Sequence, residues 1–198
     1  NPLLKEEEVE KEKGVIVDEI NMHDDLPMRK VHDVWANLLY GDQPAGRNIA
    51  GTRESVRAIR AEDFINYRSR HYLASATAVI IAGNFDEQAA RLLVENKFAA
   101  ISAGSKDEKP PVSEQQREPA LLAKHKTTDQ IHMVLGVRSF PVFSKEYMVL
   151  KIIDAILGGG MSSRLFQKLR EEMGVGYYVR TSDNTFTDHG YFDVSTGV

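Results

Sequence analysis

The 198-residue sequence predicts an α+β fold in two parts joined by a linker, on three observations. Helical and strand patterns are both present, but their order does not alternate as a doubly wound parallel sheet requires. A polar stretch with a proline pair, "SAGSKDEKPPVSEQQREP", shows no periodicity and separates two sets of elements, as a domain linker does. On each side of it a strand pattern is followed by a capped amphipathic helix, which hints at a duplicated unit. With 42% hydrophobic and 27% charged residues, the chain can bury ordinary cores.

Leu3 to His23 carries a helical pattern. Asp24, Asp25 and Pro27 stop it and cap a second helix through Val31, Val34, Leu38 and Leu39. "YGDQPAGRNIAGT" is a surface loop by its glycine and proline content. "ESVRAIRAEDFINYRSRHY" holds one or two short helices, with a restart at Ala61, Glu62 and Asp63. "TAVIIAGNF" is β-branched and apolar and predicts a buried strand, after which Asp86 caps the helix "EQAARLLVENKF". The linker is placed at 105–119, between a domain at 1–104 and a second at 120–198. Beyond it, "DQIHMVLGV" alternates, with Ile131, Met133, Leu135 and Val137 on one face. Ser144 caps a helix through Ile152, Ile153, Ile156 and Leu157 that Gly158 ends, and a second capped helix, "SSRLFQKLREEM", closes at Gly174. "YYVRTSD" and "GYFDVST" predict two neighbouring strands. The chain starts without methionine and stops at Val198 directly after a strand pattern, so both ends read as cut and both domains as incomplete.

Charge and composition remove several classes of function. Lysine and arginine total 25 against 29 acidic residues, a formal charge of −4, and the basic residues are scattered, which argues against nucleic acid as a partner. No apolar run approaches the roughly 18 residues that span a bilayer, and the N-terminus lacks the basic and apolar regions of a signal peptide. There are no cysteines, so disulfides and thiol nucleophiles are excluded and a metal site must use His, Asp or Glu. This does not fix the compartment; a soluble, cytoplasmic protein is the expectation. Phosphate-binding glycine motifs, GxSxG, HExxH and HxxEH are absent, so the sequence contains no complete catalytic constellation.

Two stretches carry candidate chemistry. In "EKGVIVDEINM", Glu12 and Glu19 lie two helical turns apart, on the same stripe as Val9, Ile16 and His23. An unpaired carboxylate buried on an apolar seam costs several kcal/mol. Either the stripe is a solvated flank, or something positive stands opposite. In "LGGGMSSRLFQKLREEMGVGYYVRTS", Arg170 falls in the last turn of a helix, and Gly174 and Gly176 release the chain so that Tyr177 begins a strand. Arg170 either offsets the helix dipole while Tyr177 packs in the sheet, or the pair faces a ligand.

Together these segments resemble the pitrilysin and insulinase family of zinc metallopeptidases, in particular its short members similar to the mitochondrial processing peptidase β subunit. In that family an HxxEH helix supplies two histidines and a general-base glutamate, and a later helix of the form E-R/K-x-V-V-x-E-E-I-x-M supplies the third ligand. The resemblance implies that Glu19 is the zinc ligand and that Glu12, one heptad earlier, supports the site; Asp18 stands where the family usually has glutamate. "DDLPMRKVHD" and "YGDQPAGRNIAGT" are similar to the family segments downstream of that helix, and "LGGGMSSRLFQKLREEMGVGYYVRTS" is close to its signature in the second domain. On that match, Arg170 and Tyr177 hold the substrate backbone across a closed chamber. The resemblance runs from about Glu6 to Val198 and implies two related domains, each an antiparallel sheet covered by helices. It further implies a parent zinc endopeptidase that hydrolyses peptides or small unfolded polypeptides and pairs as a dimer. Three protein ligands and a water would make its catalytic site, where zinc lowers the water pKa. The present chain, without HxxEH, is expected neither to bind zinc nor to cleave peptides. The alternative is a non-catalytic scaffold or substrate-binding subunit of the same fold.

Overall fold

The computed structural model describes residues 2–198, which fall into two compact units. The first comprises the chain up to Val17 together with Arg53–Pro110, and the second Asp18–Thr52 with Pro111–Val198. Helix α1 spans Glu6–Asp24 and is continuous through both assignments.

In the first unit, Glu6, Glu7 and Glu8 occupy the opening turn of α1, where the helix dipole favours negative charge. Glu8 pairs with Lys11 and Glu10 with Lys13, each three residues on. Two short helices form where the sequence predicts them, α3 (Arg53–Ala58) and α4 (Ala61–His71). The restart between them is fixed by Asp63, whose carboxylate accepts from the Arg60 N–H at 2.7 Å, and by Glu6, which accepts from the Ala61 N–H at 3.2 Å. Helix α5 (Glu87–Phe98) is capped by Asp86, which accepts from the Ala89 N–H at 2.7 Å. Val9, Val56 and Leu73 are the buried apolar residues here.

The buried strand expected at "TAVIIAGNF" does not form. Residues 77–82 run without regular structure, and Val79, Ile80, Ile81 and Phe85 are all exposed, Ile80 at 89%. β-branched side chains favour an extended backbone, but a strand is stabilised by a ladder partner and a face to pack on. Among the described residues no strand lies beside this segment.

The second unit is built on one antiparallel sheet of three strands, β1 (His132–Ser139), β2 (Tyr178–Thr185) and β3 (Gly190–Gly197), in the order β1-β3-β2. The register pairs Gly136 with Asp193 and Asp193 with Ser182 across the central strand. Helix α2 (Pro27–Tyr40) starts with proline at its first position and brings Trp35, Leu39 and Tyr40 into the core. Trp35 and Tyr40 meet Tyr191 of β3 edge-on, with ring centroids 6.1 and 6.3 Å apart. Gly136 makes room for this: a Cβ there would lie 2.8 Å from Cζ2 of Trp35 and 2.4 Å from the Phe192 carbonyl oxygen. Strand β1 alternates as expected, but the face that packs carries Val134, Gly136 and Arg138, and Met133, Leu135 and Val137 are exposed. Helix α6 (Tyr147–Gly158) packs on β2, where the Thr181 hydroxyl donates to the Asp154 carbonyl at 3.1 Å. Ser144 does not cap α6 at its first turn. The flanking residue is Glu146, whose N–H reaches the Ser144 hydroxyl at 3.3 Å.

The segment "SSRLFQKLREEM" differs most from its sequence pattern. After a single α turn it becomes a π-helix, Phe166–Glu172, in which the Met173 N–H reaches the Lys168 carbonyl five residues back at 3.1 Å. Gly174, with φ of +64°, ends it as expected, and the Val175 N–H closes on the Leu169 carbonyl at 3.0 Å.

One core residue couples stability to pH. Asp193, on the central strand, is 1% exposed. Its Oδ2 accepts from Asn184 Nδ2 at 3.2 Å and its Oδ1 has no partner among the described residues. Burial, with the Asp154 carboxylate nearby, pushes its pKa up to about 6, against the lowering effect of the Asn184 bond. The folded state therefore holds this proton more tightly than the unfolded chain, whose aspartate titrates near 3.8. Below that value the carboxyl costs nothing, and the cost grows as pH rises to about 6, reaching about 3 kcal/mol above it. Asp193→Asn keeps the acceptor for Asn184 and removes the charge. Thermal melts at pH 4 and pH 7.5 should show the variant matching the parent at the lower pH and exceeding it at the higher; equal melting points at pH 7.5 would refute this account.

Candidate functional site

Glu12 and Glu19 both stand on α1 and both are exposed. Burial on this helix is carried by Val9, and in part by Ile16, Val17 and Ile20, with the two carboxylates beside that stripe. Glu6, Glu8 and Glu10 are engaged in hydrogen bonds and ion pairs with Ala61, Lys11 and Lys13. Glu12, Glu19 and the neighbouring Asp18 have no such partner among the described residues, so their oxygens are open to an outside cation. The described residues contain no group of three or more His, Cys, Asp or Glu side chains able to hold a metal ion. A catalytic zinc takes three protein ligands and keeps one position open. The described residues do not make such a centre around Glu19 or Glu12.

Arg170 and Tyr177, by contrast, are brought together. Arg170 lies in the last turn of the π-helix with its guanidinium 5.1 Å from the Phe166 ring centre, a cation–π contact. Its Nη1 donates to the Tyr177 carbonyl at 3.4 Å. The Tyr177 N–H donates to the Gly197 carbonyl at 2.8 Å, which pins the residue to the end of β3 one position before β2 begins. Tyr177 is 68% exposed. Most of the five guanidinium N–H donors of Arg170 and the phenol of Tyr177 are therefore left to solvent. Such a pair offers donors suited to peptide carbonyls. The adjacent Tyr178 is different: it stacks on His132, its hydroxyl lies 3.1 Å from His132 Nδ1, and burial pushes its pKa up. Phe166 was not among the expected site residues, although its place four residues before Arg170 is the spacing at which helical side chains meet.

A family model described as the peptidase M16 inactive domain matches residues 58–198. The chain belongs to that family. The match includes Arg170 and Tyr177, while Glu12 and Glu19 precede it. An uncharacterized zinc protease of Mycobacterium leprae is 35% identical over 192 residues, covering 95% of this chain and 43% of the relative. The uncharacterized zinc protease YmxG of Bacillus subtilis is 31% identical over 195 residues, covering 97% and 46%. The chain thus spans a little under half the length of these M16 relatives. Among solved structures, the peptidase M16 inactive domain from Pseudomonas fluorescens superposes with a TM-score of 0.84 at 18% identity, over 100% of this chain and 48% of that one. At that identity the likeness concerns the fold, and it bears out the mixed helix and antiparallel-sheet architecture expected from sequence. Among the described residues no helix is long and apolar enough to cross a membrane.

Because Arg170 is exposed and its contacts are a surface cation–π pair and one long hydrogen bond, it contributes little to folding. Arg170→Ala should cost no more than about 1 kcal/mol of stability. Urea denaturation of the two proteins tests this, and a loss of several kcal/mol would make Arg170 a structural residue.

Proposed function

We propose that this M16 chain serves a zinc endopeptidase that cleaves extended peptides or small unfolded polypeptides inside a closed chamber. In this reading Glu19 is a zinc ligand, Glu12 supports it, and Arg170 and Tyr177 hold the substrate backbone. The remaining zinc ligands would come from protein outside these 198 residues, and the chain alone would be inactive. Residues 105–119 would link a zinc-bearing domain at 1–104 to a substrate-holding one at 120–198, and two subunits would pair to enclose the chamber.

The observation that carries the reading is the solvent-facing pair of Arg170 and Tyr177, held by the π-helix and by β3 within a family whose relatives are named zinc proteases. The Tyr177 hydroxyl makes no bond within the described residues, and Arg170 donates one N–H to the Tyr177 carbonyl and keeps the rest of its donors free. Glu19, exposed and without an ion pair, is consistent with the same reading. The description of the matched domain as inactive favours a second role for residues 58–198: a scaffold that binds substrate without contributing to bond cleavage.

In the full-length parent protein, Glu19→Gln should reduce zinc to well below one per chain and abolish cleavage of extended peptides. Arg170→Ala should leave zinc unchanged and lower kcat/KM about tenfold or more, the effect of losing one charge-assisted hydrogen bond to substrate. A Glu19→Gln protein with normal zinc and activity would sink the ligand assignment. A parent protein that holds no zinc would favour the scaffold.

A further inference from the structure

A groove in the second unit holds an extended piece of the same chain in the way a peptide-binding site holds its ligand. Helix α2 ends at Tyr40 because Gly41 adopts φ 65° and ψ −151°, a region open in practice to glycine alone. The chain then turns through Pro44–Gly46, where a Cβ on Gly46 would lie 2.2 Å from the Gly41 carbonyl oxygen. This tight turn sets Gln43 beside residues 112–114. Gln43 Nε2 donates to the Tyr40 carbonyl at 2.6 Å and to the Ser113 carbonyl at 3.0 Å, and its Oε1 accepts from the Ser113 N–H at 2.9 Å. One side-chain amide, anchored to the end of α2, thus pairs with both backbone polar groups of Ser113 as a neighbouring strand would, whatever side chain that residue bears.

The flanking positions supply selectivity. The Val112 N–H donates to Asp188 Oδ2 at 3.1 Å, and its side chain packs against the cluster of Trp35, Leu39 and Tyr40. Glu114 accepts from Arg138 Nη1 at 2.9 Å. Arg138 is itself held by the Leu39 carbonyl and by the Tyr40 ring, 5.5 Å from its guanidinium carbon. A cavity of about 370 Å³ continues between Tyr40, Gln43, Ser113 and Arg138.

We propose that this groove is a binding site for an extended peptide of the form apolar, small, acidic, and that Val112–Ser113–Glu114 occupies it in cis. None of the groups that hold the segment is a residue assigned to zinc or to substrate, so the site stands whether or not the peptidase reading does. Residues 115–131 tether the segment to β1, which carries Arg138, and keep its effective concentration high, so a peptide added in trans binds only when the internal copy is weakened.

The test uses the 198-residue chain, in which Trp35 is the only tryptophan. In the double variant Val112→Asp/Glu114→Lys the internal segment loses its apolar anchor and faces Arg138 with like charge. Trp35 emission should shift to longer wavelength with the far-UV circular dichroism unchanged. A labelled peptide PPVSEQQ should then bind saturably to the variant and at least about tenfold more weakly to the parent chain. Adding Gln43→Ala should weaken that binding about tenfold. Equal affinity for parent and variant, or no binding to the folded variant, would overturn the proposal. Should the double variant not fold, amide exchange on the parent chain decides: Val112 and Ser113 should exchange at least about tenfold more slowly than in free PPVSEQQ, and Gln43→Ala should release Ser113. Exchange as fast as in the free peptide would equally overturn it.

Discussion

The second unit depends on the fit between Trp35 and Gly136. The indole lies where any other residue on β1 would put a side chain, and the 2.8 Å separation a Cβ would have from Cζ2 leaves no room for adjustment. This close approach lets α2 lie on the sheet and bring Tyr40 against Tyr191 and His189. It also explains why β1 turns its mixed face inward. Met133, Leu135 and Val137 are the more apolar set, but the other face carries Gly136, where Trp35 fits. Shape has overridden hydrophobicity as the choice of packing face. The aromatic contacts come at a cost, because Trp35 Nε1 and the Tyr40 hydroxyl are buried without partners among the described residues, and burial pushes the Tyr40 pKa up.

The seating of α2 also positions the chain beyond its C-terminal end. Where Tyr40 ends the helix, the Tyr40 carbonyl is held by Gln43 and the Leu39 carbonyl by Arg138. The last-turn carbonyls of a helix normally lack intrahelical donors. Here two long side chains supply them, and each keeps further donors free for residues 113 and 114. The groups that finish the helix are thus the same ones that hold the extended segment.

Much of this was legible in the sequence because it is local. The pattern of α1, the proline that opens α2, the restart at Ala61, the Asp86 cap and the alternation of β1 all depend on residues within a few positions of one another. The features that were not legible depend on distance or on small differences in winding. The strand expected at "TAVIIAGNF" has the right residues but no ladder, and a sequence pattern carries no information about the partner. The π-helix uses the same residues as an α-helix would; a shift from four-residue to five-residue hydrogen bonds leaves little trace in an apolar pattern. Gln43 and Ser113 are seventy residues apart, so nothing in either stretch points to the other.

The candidate site residues differ from those of the core in how their polar atoms are used. Gln43 bonds through both ends of its amide, and its place in the sequence is accounted for by folding. Arg170 has one long hydrogen bond and a ring beneath it, Tyr177 is tied through its backbone alone, and Glu12 and Glu19 bond to nothing in the described chain. The π-helix matters most for this contrast. Its wider turn brings the end of the helix to the start of β2 with Phe166 under the guanidinium, so the arginine is oriented by a contact that leaves most of its hydrogen-bond donors free. An arginine whose role was only to balance the helix dipole would gain by turning those donors onto the last carbonyls of its own helix. Arg170 instead reaches across to the Tyr177 carbonyl just before β2, with most of its donors left to solvent.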